Sequence, residues 1–521
     1  MRDERSKMGE KRGRMKEISG ERVKSFNPKT SVTGASCYRP LQVSHYSLLF
    51  QRYDFEATSA NTIFTTFAPR KYKTMITPKN FMRGEAGELL RLGMPIVIGQ
   101  LGIIIVSFAD TMMVGWYGTE ELGAAAFVNN LFNLVIIFAT GFSYGITPIV
   151  GALFGRGERL KIGGVLRNAL FLSAMVSMVL MALMMILYLN LHRLGQPEEL
   201  LGLMRPYFVV LLLSLPFVML FNAFKQFSEG ITDTKTPMYI LLGGNVMNII
   251  LNWLLIYGRC SLPEMGLLGA GVATLLSRVM MVVVFAFIFL RRRAYSLFRE
   301  GFSASSLNRR DLAHLNRMGL PIGLQMGMET GSFSLATVMV GWIGTSALAA
   351  HQIMTTVGQL GFMLYYGMAA AVAVRVSNFY GRGEITSLRH SARMGFYIIL
   401  VMAVVVSAGM LIFRESIGEL FTDNEEVVAL VAAIVIPFVV YQVGDGLQCN
   451  YANALRGISD VKPLTLFAFL AYFVISLPAG YLFGFVFDLG LVGVWLSFPL
   501  GLTTAGVLYY LRFRYRTRRL L

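Results

Sequence analysis

The sequence predicts an all-α membrane protein whose twelve transmembrane helices form two pseudo-symmetric six-helix lobes. Three observations lead to this fold class. Apolar stretches at or above the ~18 residues that read as a membrane span recur along the chain, which is 521 residues long and 55% hydrophobic. Basic residues alternate between successive loops. The second half of the chain repeats the first.

Residues 1–85 precede the first span. Residues 1–80 hold 16 Lys/Arg against 7 Asp/Glu, with no apolar core leading to a small-residue cleavage site. This segment is expected to be a disordered basic cytoplasmic tail, or an upstream extension before a start at Met75 or Met82. Spans are expected over roughly 92–117, 125–150, 165–190, 206–228, 237–257, 266–290, 318–343, 351–374, 395–413, 427–451, 464–486 and 490–511. Residues 86–300 then make an N-terminal lobe with its following basic loop, and 301–521 a C-terminal lobe with a basic tail.

The loops after even-numbered spans carry "GRGERLK", "RRRAYSLFRE" and "LNRRDLAHLNR"; the loops after odd-numbered spans hold only Arg193, Arg205, Arg259 and Arg414. Positive charge marks the cytoplasmic side, so both termini are expected there. Trp116, Trp253, Trp342 and Trp495 fall near the opposite ends of their spans, as an aromatic belt would. A formal charge of +17 could point to nucleic acid. Its location in the tail and the short loops points to membrane topology instead. Cys37, Cys260 and Cys449 form no CxxC or disulfide framework, and the five histidines show no HExxH spacing. No cofactor is expected.

"GMPIVIGQLG…TMMVGWYGTEELGAA…GALFGRGE" (93–158) aligns without gaps on "GLPIGLQMGM…TVMVGWIGTSALAAH…SNFYGRGE" (319–384), with 19 of 66 positions identical. "EGITDTKTP" (229–237) echoes "RGISDVKP" (456–463), and "GLLGAGVA" (266–273) echoes "GLVGVWLS" (490–497). Six spans are therefore repeated once. An even number per repeat gives both halves the same orientation, with a pseudo-twofold axis along the membrane normal. Parallel repeats of this kind are a transporter signature, with substrate held between the halves and alternating access by rocking.

Three acids fall inside spans: Asp110 on span 1, Glu329 on span 7 and Asp445 on span 10. An intramembrane charge costs at least ~2.5–3.5 kcal/mol on the insertion scale and by default marks an ion or substrate path. Asp110 aligns with Ala336 and Glu329 with Ile103, so the duplicated fold does not demand either acid. Low dielectric disfavours a charged carboxylate, which makes proton or cation exchange feasible. The competing reading is a structural polar contact between helices. Tyr441 and Asp445 share a helical face at i and i+4, and so do Asn248 and Asn252 on span 5. Carboxylate and amide oxygens are hard ligands that suit a small cation, making Asp110, Glu329 and Asp445 Na⁺ candidates; for the asparagine pair, helix–helix hydrogen bonding competes. Glu329 and Asp445 are expected to approach each other on the cytoplasmic side of the midplane. Asp110 with Asn248 and Asn252 would form a second cluster in the other half. Gly323, Gly327 and Gly331 form a small-residue stripe expected to allow close helix approach beside Glu329. Arg278, midway along span 6, has no assigned role.

These motifs resemble the multidrug and toxic compound extrusion family. The resemblance rests on the repeated "VGW-GT--L-A", on "GRGE" after spans 2 and 8, and on "DTKTP" after span 4. It covers about residues 88–515 and is strongest to the NorM-like branch. Asp110 falls on that branch's span-1 acid, Asn248 and Asn252 on its span-5 amides, Glu329 on its span-7 acid, and Tyr441 with Asp445 on its span-10 pair. The DinF-like branch usually lacks the span-7 and span-10 acids. The resemblance implies a bacterial inner-membrane antiporter, a monomer that exports organic, often cationic compounds in exchange for Na⁺ or H⁺.

A lipid-linked sugar flippase of the same architecture is the alternative, but such a cavity usually has basic residues for pyrophosphate, whereas here the candidates are mostly acids. An intramembrane enzyme has one formal motif, "GFSYG" (141–145), matching GxSxG. That motif needs an exposed serine on a strand-to-helix turn, and here it lies within an apolar helix. The protein is expected not to be an enzyme.

Overall fold

The computed structural model describes residues 78–194 and 197–520. The N-terminal lobe comprises α1 (Pro78–Tyr117), α2 (Thr119–Ser143) continued by α3 (Ile146–Gly155), α4 (Arg159–Leu189), α5 (Glu198–Gly230), α6 (Lys235–Ile256) and α7 (Gly266–Arg291). A short amphipathic helix, α8 (Ser296–Ala304), lies against α4, where Gly163 admits the Phe298 carbonyl. The C-terminal lobe comprises α9 (Arg309–Ile343), α10 (Thr345–Arg382), α11 (Ile385–Ile412), the single turn α12 (Ser416–Glu419), α13 (Glu425–Gly457), α14 (Lys462–Ala468), α15 (Leu477–Tyr481) and α16 (Gly490–Arg518). A wider π-type stretch, Phe469–Ser476, joins α14 to α15, and a second, Leu482–Val486, extends α15 to complete one continuous span. The repeat is visible in local geometry. Pro95 in α1 and Pro321 in α9 occupy equivalent positions inside their helices.

Among the described residues eleven helices are long and apolar enough to cross a membrane. The remaining member of the expected twelve, α9, has 35 residues. Its apolarity is diluted by Gln325, Glu329, Thr330, Ser332 and Ser334. Residues 1–77 lie outside the described residues, but 78–85 belong to α1. Glu85 is only 4% exposed and is paired with Arg375 of α10, whose Nε donates over 2.9 Å. Polar composition hid this turn, because Glu85 is a buried charge satisfied by the opposite lobe.

The lobes meet along one half of their length. Gly145 abuts Gly319 and Gly141 abuts Gly323, so α2 and α9 touch backbone to backbone. Gly151 and Gly155 of α3 face Ser377 and Asn378 of α10, and Gly367 faces Val97 of α1. Leu89, Leu92, Val97 and Tyr144 are continuous with the hydrophobic core of the C-terminal lobe. All these contacts lie toward the ends that carry the basic loops. The glycine stripe corrects here too. Only Gly323 makes a close approach; a Cβ on Gly327 or Gly331 would meet nothing within 4 Å. At the level of Glu329 the lobes have already parted.

Beyond that level both lobes present polar side chains. Asn129, Asn130 and Asn133 of α2 are exposed, and so are Thr355, Thr356 and Gln359 at the repeat-equivalent positions of α10. Nearer the basic loops, residues 141–148 and 365–374 are buried throughout. Exposed amides and hydroxyls at membrane depth belong on a water-filled cleft rather than on lipid. The cleft is closed at the basic face and open at the other.

Candidate functional site

In the N-terminal lobe, Asp110 projects from α1 toward α6. Asn252 donates to its Oδ1 at 2.5 Å and sits 3.3 Å from Asn248 Oδ1. Asn248 in turn donates to Thr274 of α7 at 3.4 Å. Helical spacing dictates this ladder, since i and i+4 amides on α6 face the same gap. Asn252 is fully buried and its Oδ1 has no hydrogen-bond partner among the described residues. Arg278 of α7 donates to Ser214 of α5 and lies within the electrostatic reach of Asp110 and Tyr207. Tyr207 reaches Asn129 on α2 at 3.1 Å.

In the C-terminal lobe, Glu329 of α9 is half-buried beside the cleft. Its Oε2 accepts from Gln325 at 2.9 Å and from Gln448 of α13 at 3.0 Å. Gln448 also contacts Tyr472 at 3.0 Å; the π-type turn around Phe469–Ser476 carries that hydroxyl. Asp445 is 1% exposed. Its Oδ1 accepts from Cys449 at 3.5 Å, and its Oδ2 has no partner among the described residues. Tyr441 stacks on Phe438 at 5.3 Å, one turn from Asp445. Gln442 is fully buried with neither amide atom hydrogen-bonded, and Gly361 leaves room beside it and the Tyr365 hydroxyl.

Among the described residues none of the three carboxylates has a lysine or arginine at ion-pair distance. Neutral amides and a thiol contact them instead. Buried polar groups without partners are costly unless something else satisfies them. Orphaned oxygens next to carboxylates are donor sets that a small hard cation or a protonated amine would complete.

The expected residues thus fall into two clusters, one per lobe. Asp110, Asn248 and Asn252 come together, and Glu329 reaches the Asp445 helix through Gln448. Gln325, Gln448, Thr274 and Arg456 are additional members. Gln325 was findable at i−4 from Glu329, and Gln448 at i+3 from Asp445. The GxSxG serine, Ser143, is fully buried at the end of α2 and donates to the Ala139 carbonyl at 3.0 Å.

Two parallel six-helix lobes, a cleft between them and carboxylates on its walls define a two-lobed membrane transporter. The sequence model of the MatE family matches residues 95–254 and 321–482. The chain belongs to that family, the multidrug and toxic compound extrusion transporters. Solved structures share the fold. One, described as an outward-facing conformation of a multidrug resistance MATE family transporter of the MOP superfamily, aligns with a TM-score of 0.76 at 22% identity over 86% of this chain and 99% of that one. A Pyrococcus furiosus transporter of the MOP superfamily, described as having a binding pocket of reverse polarity that suggests a different function, aligns with a TM-score of 0.75 at 22% identity, covering 86% and 99%. The eukaryotic MATE transporter AtDTX14 aligns with a TM-score of 0.75 at 18% identity, covering 84% and 99%.

Proposed function

We propose that the protein is a multidrug efflux antiporter of the NorM-like branch, exporting organic, often cationic compounds in exchange for Na⁺ or H⁺ by alternating access. One observation carries this reading. Asp110, Glu329 and Asp445 lie at membrane depth, off the symmetry of the repeat, and are held by neutral groups with no lysine or arginine at ion-pair distance among the described residues. Such carboxylates are free to exchange a proton, a metal cation or a cationic drug. Both termini and the basic loops are assigned to the cytoplasm of a bacterial plasma membrane. The closed face is then cytoplasmic, and the cleft opens outward. A cation entering from outside binds the carboxylates and favours the other conformation by its differential affinity. The transporter is read as a monomer.

The deciding experiment is drug efflux from proteoliposomes with Na⁺ and pH gradients imposed separately. Stimulation by one gradient identifies the coupling ion. Indifference to both would sink the antiport reading.

A further inference from the structure

Among the described residues Arg456 is the one buried arginine. It lies near the end of α13, 2% exposed. Among the described residues it has no carboxylate at ion-pair distance. The duplication sharpens the anomaly. Its counterpart in the first half is Glu229, of opposite charge, which lies 3.9 Å from Lys225 one turn away. The position equivalent to Lys225 is Ala452. The first half neutralises its charge locally, and the second half does not.

Three contacts hold the guanidinium. One terminal nitrogen donates to Gln325 Oε1 at 2.6 Å. The other reaches Asn453 Oδ1 at 3.3 Å and the Tyr366 hydroxyl at 3.5 Å. Its Nε has no partner among the described residues. The cation also sits 5.7 Å from the ring centre of Tyr144, which belongs to the opposite lobe, and Tyr144 packs on Tyr366 at 5.6 Å. Arg456 is therefore part of the seam that closes the basic face.

Gln325 connects this seam to the site. Its carbonyl oxygen accepts from Arg456, and its amide nitrogen donates to Glu329. Arg456, Gln325 and Glu329 form an unbroken line with the amide dipole aligned between cation and anion. Hydrogen bonds to ionised groups are the strong ones, and aligned chains reinforce each other. The groups that bear on Glu329 are Asp445, Tyr441, Tyr472, Tyr509, Cys449 and Arg456. Arg456 is the one cation among them.

The geometry points to Arg456 as a positioning residue that reads the occupancy of Glu329 and transmits it, through Gln325, to closure of the lobes at the basic face. This inference rests on the antiport reading. With Glu329 ionised and empty, Arg456 has a counter-charge one amide away, and the seam is stable. A proton or Na⁺ on Glu329 removes that counter-charge. A buried cation without one is expensive, and separating Tyr144 from Arg456 admits water to it. Cation binding on the open side of the cleft therefore loosens the closed side, which is the order an antiporter needs. Glu85–Arg375 also spans the seam, but no contact links it to Glu329, so it supplies a control.

The test measures the distance between spin labels at Arg156→Cys and Arg382→Cys, both exposed at the basic-face ends of α3 and α10, by pulsed dipolar spectroscopy. The full chain carries Cys37→Ser and Cys260→Ser, and is titrated with Na⁺ alone and with pH alone. With Arg456 present, Na⁺ or acid should shift the distribution to longer distances, and Glu329→Gln should produce that shift without either ion. Arg456→Gln should abolish both responses, whereas Arg456→Lys, which keeps the charge, should retain a reduced one. Glu85→Gln should alter the resting distance while keeping the ion response. If Arg456→Gln is not monodisperse, Gln325→Met decides, since it breaks the line and leaves both charges in place. An Arg456→Gln or Gln325→Met protein that responds like the parent overturns the role of Arg456 and leaves the antiport reading standing. A parent protein whose seam ignores Na⁺, acid and Glu329→Gln alike overturns both.

Discussion

The two polar clusters occupy equivalent lobes of a duplicated chain, yet they are wired differently. Around Asp110 the hydrogen bonds run sideways through Asn252 and Asn248 to Thr274 and end inside the same lobe. Around Glu329 they run along the membrane normal as well, through Gln325 and Arg456 to a ring of the other lobe. The first arrangement suits a binding site that holds its ligand and reports to nothing nearby. The second suits a site whose occupancy changes how the lobes meet. A repeat preserves backbone packing while leaving side chains free to diverge, and here the divergence falls on the charged positions: Asp110 against Ala336, Ile103 against Glu329, Glu229 against Arg456.

If this division of labour holds, the largest effect comes from neutralising the C-terminal acids. Glu329→Gln and Asp445→Asn should each reduce gradient-driven efflux roughly tenfold or more, with insertion and monodispersity unchanged. Proteoliposome uptake assays measure this, and parental rates in both variants would reduce these acids to structural contacts. A smaller and qualitatively different effect is expected at Asp110. Protonating this carboxylate removes a negative charge, so affinity for a cationic drug should fall as acid titrates it. Asp110→Asn should bind more weakly and lose that pH dependence. Binding measured in detergent across pH, for parent and variant at matched monodispersity, makes the check; an unchanged pH profile would leave the C-terminal cluster to carry the coupling alone.

Gln448→Leu probes the comparison through stability rather than transport. It strips an amide from Glu329 and Tyr472 together, and leaving buried groups unsatisfied should cost about 1–3 kcal/mol. Thermal unfolding should register that loss, while drug affinity at the Asp110 cluster stays at the parental value. The smallest effect is expected from deletion of residues 1–74, which lie outside the described residues and hold none of the spans or repeat motifs read from the sequence. Starting the chain at Met75 should leave both clusters, insertion and transport as they were, and reduced efflux from well-expressed truncated protein would assign the segment a role.

Much of this architecture was legible in the sequence because lipid is an unforgiving solvent. Spans announce themselves by apolar length, and a carboxylate inside one stands out by its cost. The repeat then separated what the fold requires from what it does not. Less legible were the neutral partners. Gln325 and Gln448 matter through their contacts with Glu329, and a lone glutamine at helical spacing carries no sign of which helix it will face. The glycine stripe was half misread for a related reason. Composition permits close approach at Gly323, Gly327 and Gly331 alike, but only a partner helix at the right level makes it happen, and α2 diverges after the first. The start of α1 was hidden because Glu85 looks like tail until the fold brings to it Arg375, 290 positions further along the chain.

The diluted apolarity of α9 bears on how the protein is made. A helix carrying Gln325 and Glu329 partitions poorly into lipid by itself, yet it emerges from the ribosome before α13 and α16, which supply its neighbours. It is synthesised after α2, whose Phe138 carbonyl and Gly141 it packs against. The finished first lobe can therefore act as a template that retains α9 at the membrane until its own lobe arrives. A second lobe expressed alone, from residue 301, should then integrate α9 less efficiently than the whole chain does, and glycosylation mapping of engineered acceptor sites would read the difference. In this view the duplicated halves are not interchangeable during biosynthesis: the earlier one serves as an intramolecular chaperone for the later.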